Sequence, residues 1–388
     1  MENRSGGDIP SQRVQSALAS GQGGATAPPS REPGEDVPAN MTRRRLNAML
    51  LSVVVTAAVP IRPARAQSAA PSFRIVDFDW IDSTRSRAVP ARLHWPTDTA
   101  PASRVPLIVF SHGMGGSRRG YSYLGRYWAA RGIASLHVQH VGSDSSLWAG
   151  NPLTALGRVQ RAAHESEALA RARDVRFALD TVLSSGIGPY GAQIDRRRIV
   201  AAGHSYGANT ALIAVGAHVM REGQWVEARD PRFAAAIVIS TPPFYGEPDL
   251  TSVLNKITVP SLHITATNDV IEIPGYYSPA ADRLAVFNAI ATPRKLLAVF
   301  QGGSHGMFTD RPLTGGPALN PKVKAATAEL APAFFDLTFD GNGATLTRWN
   351  ATWQPILAMP PGVAPPPVPI PGSRTMIHGS TIGLAASR

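Results

Sequence analysis

A serine set between glycines, an aspartate and a histidine follow one another along the chain and could together make a nucleophilic catalyst. Gly203-His204-Ser205-Tyr206-Gly207 fits the pattern G-x-S-x-G. A serine hydroxyl is a poor nucleophile until a base takes its proton, and that base needs an acid to orient it. His305, in the glycine-rich stretch QGGSHG, is the candidate base. Asp269, in Thr267-Asn268-Asp269, is the candidate acid, and Glu272 competes with it. A second G-x-S-x-G match, residues 302–306, surrounds the histidine itself. Only Ser205 stands between a strand-like run, RIVAA, and a helix-forming stretch, ANTALIAVGA. A sharp strand-to-helix turn exposes a serine hydroxyl, and flanking side chains larger than glycine would collide with backbone. The helix N-terminus then favours developing negative charge.

Acyl transfer also needs two backbone N–H groups aimed where an oxygen becomes negative. The expected pair is Tyr206, directly after the nucleophile, and Met114 in the loop Ser111-His112-Gly113-Met114-Gly115-Gly116, with Gly115 as the alternative. Loops 142–151, 241–248 and 273–279 are the candidates for a substrate cleft. They offer Trp148, Phe244, Tyr245, Tyr276 and Tyr277 as an aromatic lining, which suits an uncharged or lipophilic ester. The remaining histidines show no ligand spacing. His137 and His140 are expected on opposite faces of a strand end, and His204 is expected to pack rather than react. No metal and no cofactor are expected.

These residues need elements to hold them. Short apolar runs alternate with helical patterns through the middle of the chain. Residues 73–81 and 88–95 read as an opening hairpin. The run at 105–110 reads as a strand buried on both faces, and runs at 133–138, 198–202, 233–239, 259–265 and 295–300 read as further strands. Helical patterns fall at 121–131, 153–183 (interrupted), 208–217, 280–290 and 323–335. Such alternation implies an α/β fold with crossover connections: a single, mostly parallel sheet of about eight strands with helices on both faces. Ligands bind such sheets at the carboxyl ends of the strands, and Ser205, Asp269 and His305 each follow one.

The chain has 388 residues, a net charge of +11 and no cysteine. The missing cysteine excludes disulfides, thiolate metal sites and a thiol nucleophile. Every Phe, Trp and Tyr lies between Phe73 and Trp353, so the folded domain is expected at 67–353. Residues 1–40, rich in Gly, Pro and Ser, read as disordered or as an over-extended start, with Met41 as the alternative first residue. Residues 41–66 read as a signal peptide. Arg43-Arg44-Arg45 precedes an apolar run at 48–59 and the small-x-small site Ala64-Arg65-Ala66. The paired arginines resemble a twin-arginine export signal, which implies a periplasmic or secreted protein. The apolar run is too short to span a bilayer, so no transmembrane span is expected after cleavage. Residues 1–66 carry 8 Arg and 5 acids, so their removal lowers +11 to +8. The triplet Arg196-Arg197-Arg198 reads as a solvated surface, and no nucleic-acid motif appears. Residues 354–388 read as a proline-rich tail.

The stretches FSHGMGGSRRGYSYLGRYWAARGI, HVQHVGSDSS, GHSYG and GGSHGMFTD resemble the dienelactone-hydrolase-like and platelet-activating-factor-acetylhydrolase-like branches of the α/β-hydrolases, over roughly residues 73–350. The resemblance implies an α/β-hydrolase fold and a serine carboxylic-ester hydrolase. Two positions depart from it. Dienelactone hydrolases use a cysteine nucleophile, which this chain lacks. The acetylhydrolases place their acid after the strand that follows the nucleophile strand; here that strand runs into Ser240-Thr241-Pro242-Pro243, with no acid, which favours Asp269. The expected activity is cleavage of a small-molecule or lipophilic ester through Ser205, His305 and Asp269. An acyltransferase or peptidase on the same triad, and a non-catalytic binding protein on the same fold, are the alternatives. The oligomeric state is left open.

Overall fold

The computed structural model describes residues 72–98, 103–151, 154–184, 188–221, 224–247, 249–273 and 276–359. The expected signal peptide, the residues before it and positions 360–388 of the expected tail lie outside the described residues.

The strands are β1 (Phe73–Asp82), β2 (Arg87–Pro96), β3 (Val105–Ser111), β4 (Ala134–Val138), β5 (Ile194–His204), β6 (His218–Arg221), β7 (Gln224–Glu227), β8 (Ala235–Ile239), β9 (Ser261–Asn268), β10 (Ile271–Ile273), β11 (Tyr276–Ser278), β12 (Lys295–Ser304) and β13 (Leu357–Met359). The helices are α1 (Ser122–Ala129), α2 (Ala155–Ala162), α3 (Glu165–Leu183), α4 (Tyr190–Gln193), α5 (Tyr206–Ala214), α6 (Leu250–Leu254), α7 (Ala281–Ala289), α8 (Asn320–Asp340) and α9 (Ala344–Trp353).

Nine strands form one sheet in the order β1-β2-β4-β3-β5-β8-β9-β12-β13. The six from β4 to β12 are mutually parallel. The hairpin β1–β2 adds two antiparallel strands on one side, and β13 adds one on the other. This is the α/β-hydrolase fold. The expected sheet of about eight strands gains a ninth because Leu357–Met359, inside the stretch read as a tail, pairs with Val299 and Phe300 of β12. An edge strand needs only backbone partners on one side, so three residues suffice and no apolar periodicity announces it. Two further hairpins, β6–β7 and β10–β11, stand outside the large sheet.

The sheet's alternation divides the core in two. Leu107 and Val109 of β3 face one apolar cluster, which α3, α5 and α6 complete with Val175, Leu179, Leu212 and Val253. Ile108 and Phe110, the intervening residues, face the other, completed by α1, α8 and α9 with Trp128, Phe334 and Trp349. That period of two is what a strand with both faces covered must show. The indoles of Trp128 and Trp349 stay satisfied: Trp128 donates to Ala328 O at 3.0 Å and Trp349 to Ala326 O at 2.8 Å. No helix among the described residues is long and apolar enough to cross a membrane.

Candidate active site

Five consecutive strand ends of the parallel sheet, those of β3, β5, β8, β9 and β12, build the site. Ser205 follows β5 and opens α5 with φ 56° and ψ −124°, a conformation that side-chain-bearing residues rarely adopt. The turn is closed by contact. A Cβ on Gly203 would lie 2.1 Å from Gly207 O, and one on Gly207 would lie 2.0 Å from Ser111 O. Only glycine lets β5, α5 and the end of β3 approach this closely. The turn directs Ser205 Oγ to His305 Nε2 at 2.9 Å.

His305 begins a short 3-10 turn directly after β12. Its Nδ1 lies 2.7 Å from Asp269 Oδ1. A carboxylate only accepts, so Nδ1 carries the proton and Nε2 is left to take one from Ser205. Asp269 follows β9 and is fully buried. Burial pushes its carboxyl up, but the hydrogen bond and charge of His305, the guanidinium of Arg283 and the hydroxyl of Ser240 outweigh it and hold the group well below the usual carboxylate range. Thr265 Oγ1 donates at 2.8 Å and Arg283 Nε stands 3.6 Å away. Ser240 sits after β8, at φ 55°, in the place where the resemblance puts an acid; it holds the acid that reaches across from the next strand. Glu272, the competing acid, is exposed on β10, opposite Tyr277.

The loop after β3 approaches the same point. Gly115 N–H donates to Ser143 O at 2.8 Å and Gly113 N–H to Tyr121 Oη at 3.2 Å. Met114 N–H has no hydrogen-bond partner among the described residues, and Met114 lines the cleft together with Ser205 and Tyr206. Of the two candidate donors in this loop, Gly115 is thus occupied and Met114 is not.

Beneath this loop lies Arg171, fully buried, which no motif announced. It donates to Thr210 Oγ1 at 3.0 Å, to Ser143 Oγ at 2.8 Å and to His112 O, and its guanidinium stacks 4.4 Å from the Tyr206 ring centre. The same residue thereby ties the loop after β3, the Ser143 segment and the start of α5. Arg283, behind Asp269, was missed for the same reason.

A cleft open to solvent lies over Ser205. Phe244, Tyr245 and Tyr276 line it as expected, joined by Pro242, Pro243, Ile271 and Ile273. Ala163 and Ala168, flanking the junction of α2 and α3, cover part of it. Trp148 and Tyr277 do not belong to the lining. The Trp148 indole packs on Gly115, donating to its carbonyl at 3.1 Å, and stays 57 % exposed. Tyr277 is the outward neighbour of Tyr276 on β11, where side chains alternate, and is 63 % exposed.

His204, His140 and His137 are partnered in the interior. His204 packs, as expected: Nδ1 meets Tyr121 Oη at 2.8 Å and its ring lies 4.8 Å from that of His305, tilted by 36°. His140 lies between Asp174 and Ser111 Oγ, and His137 beside Ser135 and Gly120 O. No group of three metal-ligating side chains occurs among the described residues.

The family profile described as platelet-activating factor acetylhydrolase, isoform II, matches residues 83–155. That stretch holds the loop with Met114 and ends before Ser205. Among solved structures, the chain is similar to a ferulic acid esterase from Streptomyces cinnamoneus, at 23% identity and a TM-score of 0.51, over 73% of this chain and 94% of that one. It is also similar to a cold-adapted esterase from an Arctic intertidal metagenomic library, at 19% identity and a TM-score of 0.46, over 66% of this chain and 95% of that one. No curated protein sequence matches the chain.

Proposed function

We propose that this chain is an exported serine esterase that cleaves carboxylic esters through an acyl-enzyme. The observation that carries the reading is the unbroken run Ser205 Oγ–His305–Asp269, with links of 2.9 and 2.7 Å, at the base of an apolar cleft. The acetylhydrolase profile over residues 83–155 supports an ester as the substrate.

In the first half-reaction, His305 Nε2 takes the Ser205 proton as Oγ attacks the ester carbonyl carbon. The carbonyl oxygen becomes negative and rests on the N–H groups of Tyr206 and Met114, at the positive end of α5. Asp269, held ionised, stabilises the imidazolium. That imidazolium gives its proton to the leaving alcohol as the C–O bond breaks. In the second half, water attacks the acyl-serine, His305 takes a proton from the water, and the carboxylic acid leaves Ser205 with its proton restored.

Ser205→Ala is expected to abolish hydrolysis of p-nitrophenyl acetate and labelling by a fluorophosphonate probe, with the far-UV circular dichroism unchanged. Wild-type rates in that variant would overturn the assignment. Export is read from residues 41–66. Expression in a host with twin-arginine translocation is expected to yield a periplasmic or secreted product whose N-terminal sequence starts at Gln67.

A further inference from the structure

The loop after β3 opens with a buried imidazole that the reaction above does not use, and its two ring nitrogens can be told apart. His112 is 1 % exposed. His140 N–H donates to His112 Nε2 at 3.1 Å, and a backbone N–H can only donate. Nε2 is therefore the bare nitrogen, and Nδ1 carries the proton. Nδ1 lies 2.7 Å from Gly113 O, so the imidazole donates to the carbonyl of the next residue. Burial first, then the charge of Arg171, holds His112 below the usual imidazole value, which keeps this neutral tautomer in place. Gly116 N–H donates to the same Gly113 oxygen at 3.0 Å.

Gly113 C=O and Met114 N–H belong to one peptide unit. Such a unit is planar and almost always trans, so its N–H points opposite to its C=O. Two donors hold Gly113 O on the His112 side of the loop, and that fixes Met114 N–H on the other side. The loop there packs on the nucleophile turn. A Cβ on Gly113 would lie 3.3 Å from His204 O, and one on Gly207 would lie 2.7 Å from His112 O. Met114 comes next and lines the cleft with Ser205 and Tyr206. The N–H groups of Gly113, Gly115 and Gly116 are taken by Tyr121 Oη, Ser143 O and Gly113 O. An amide whose oxygen accepts two hydrogen bonds is also polarised, and its N–H becomes a stronger donor.

We infer that His112 is a positioning residue: its Nδ1–H bond to Gly113 O fixes the peptide that carries Met114 N–H, and so aims that donor at the developing oxyanion. The inference rests on the serine-esterase reading above and deepens it. His112 does not line the cleft, and it acts through one peptide unit. His140 acts on it in turn, because its N–H selects the tautomer. Without the imidazole donor the peptide is free to turn about its flanking single bonds. A donor moved from its place loses much of its worth in the transition state.

The test uses the full chain with p-nitrophenyl butanoate and with a trifluoromethyl alkyl ketone, which adds to a nucleophilic serine and sets an oxyanion on the same N–H groups. His112→Phe keeps a ring and removes the donor. It is expected to lower kcat by roughly 10–100-fold with KM nearly unchanged, and to raise the Ki of the ketone by a similar factor. The share of chains titrated by a fluorophosphonate at completion is expected to match the wild type. His112→Asn sets an amide N–H near the place of Nδ1 and is expected to recover most of both losses. Wild-type kcat in His112→Phe overturns the role. So does a fall in kcat that leaves Ki unchanged, or a His112→Asn no better than His112→Phe. Magnetic resonance of the histidine nitrogens in the wild type needs no variant: the His112 proton is expected on Nδ1, and a proton on Nε2 overturns the role. All these results leave the serine-esterase reading standing, whereas a wild type that hydrolyses no ester overturns that reading and the role with it.

Discussion

Asp269 receives the His305 imidazole, two hydroxyls and a nearby guanidinium, and that company decides how the site answers to pH. Its carboxyl is depressed, so it stays ionised from neutrality down past the ordinary carboxylate range of roughly 4. The sign follows: its contribution to stability is present above the unfolded-state value and is lost only as pH falls toward the lower folded value. Its titration is thus expected to add no limb to the kcat/KM profile near roughly pH 4, and such a limb in the wild-type profile would contradict this. Asp269→Asn reverses the preferred imidazole tautomer and is expected to lower kcat by about 10³–10⁴-fold, with Ser205 still in place. Arg171 touches no substrate but holds His112 O and Ser143, whose own carbonyl fixes Gly115. Arg171→Met is expected to lower kcat by about 10–100-fold with KM nearly unchanged, because it lets the Met114 N–H drift from the developing oxyanion. A rise in KM at constant kcat would show instead that the residue shapes the cleft.

The elements explain why those residues meet. Ser205, Asp269 and His305 each come directly after a parallel strand, and β5, β8, β9 and β12 are neighbours in the sheet. The strand-to-helix turn at Ser205 depends on contacts that admit no side chain. Gly207→Ala would place a Cβ 2.0 Å from Ser111 O, backbone that cannot rotate away. It is expected to lower stability by at least about 1–3 kcal/mol and to cost most of the activity. Thermal unfolding and turnover measured on the same sample would check both, and full activity would contradict the packing. The strand ends were legible because continuous apolar runs such as VPLIVF leave few other placements. The hairpins β6–β7 and β10–β11 and the edge strand β13 were not, because three or four residues carry too little periodicity. Trp148 and Tyr277 were misplaced because an aromatic loop residue packs equally well on a neighbouring loop or into a cleft, and only the fold settles which.

Across the whole molecule, charge and burial act together. Six histidines among the described residues (His94, His112, His137, His140, His204 and His263) are buried and held below the usual imidazole value, with burial the largest cause in each. His94 is lowered to about 4 and His263 to about 3. Their sign is opposite to that of a histidine that gains a partner. The folded protein keeps them neutral while the unfolded chain takes up protons below about pH 6.5, each adding up to about 1.4 kcal/mol of destabilisation per pH unit. The melting temperature is expected to fall by more than about 5 °C between pH 7 and pH 5.5. A flat profile over that interval would contradict it. What the sequence by itself determined was the alternation that makes a doubly covered parallel sheet, and the chain order Ser205, Asp269, His305 past its strand ends. Both follow from patterns local to short stretches of chain. Tertiary structure alone set Asp269 rather than Glu272 against His305, paired Gly115 N–H with Ser143 O while leaving Met114 N–H without a partner among the described residues, and fixed which aromatics line the cleft. It alone brought in Arg171, Arg283 and Ser240. Those outcomes rest on contacts between residues as far apart as Arg171 and His112, 59 positions, or His305 and Ser205, 100 positions. Only the register of neighbouring strands and the faces of the helices packed on them fix which side chains meet at such distances.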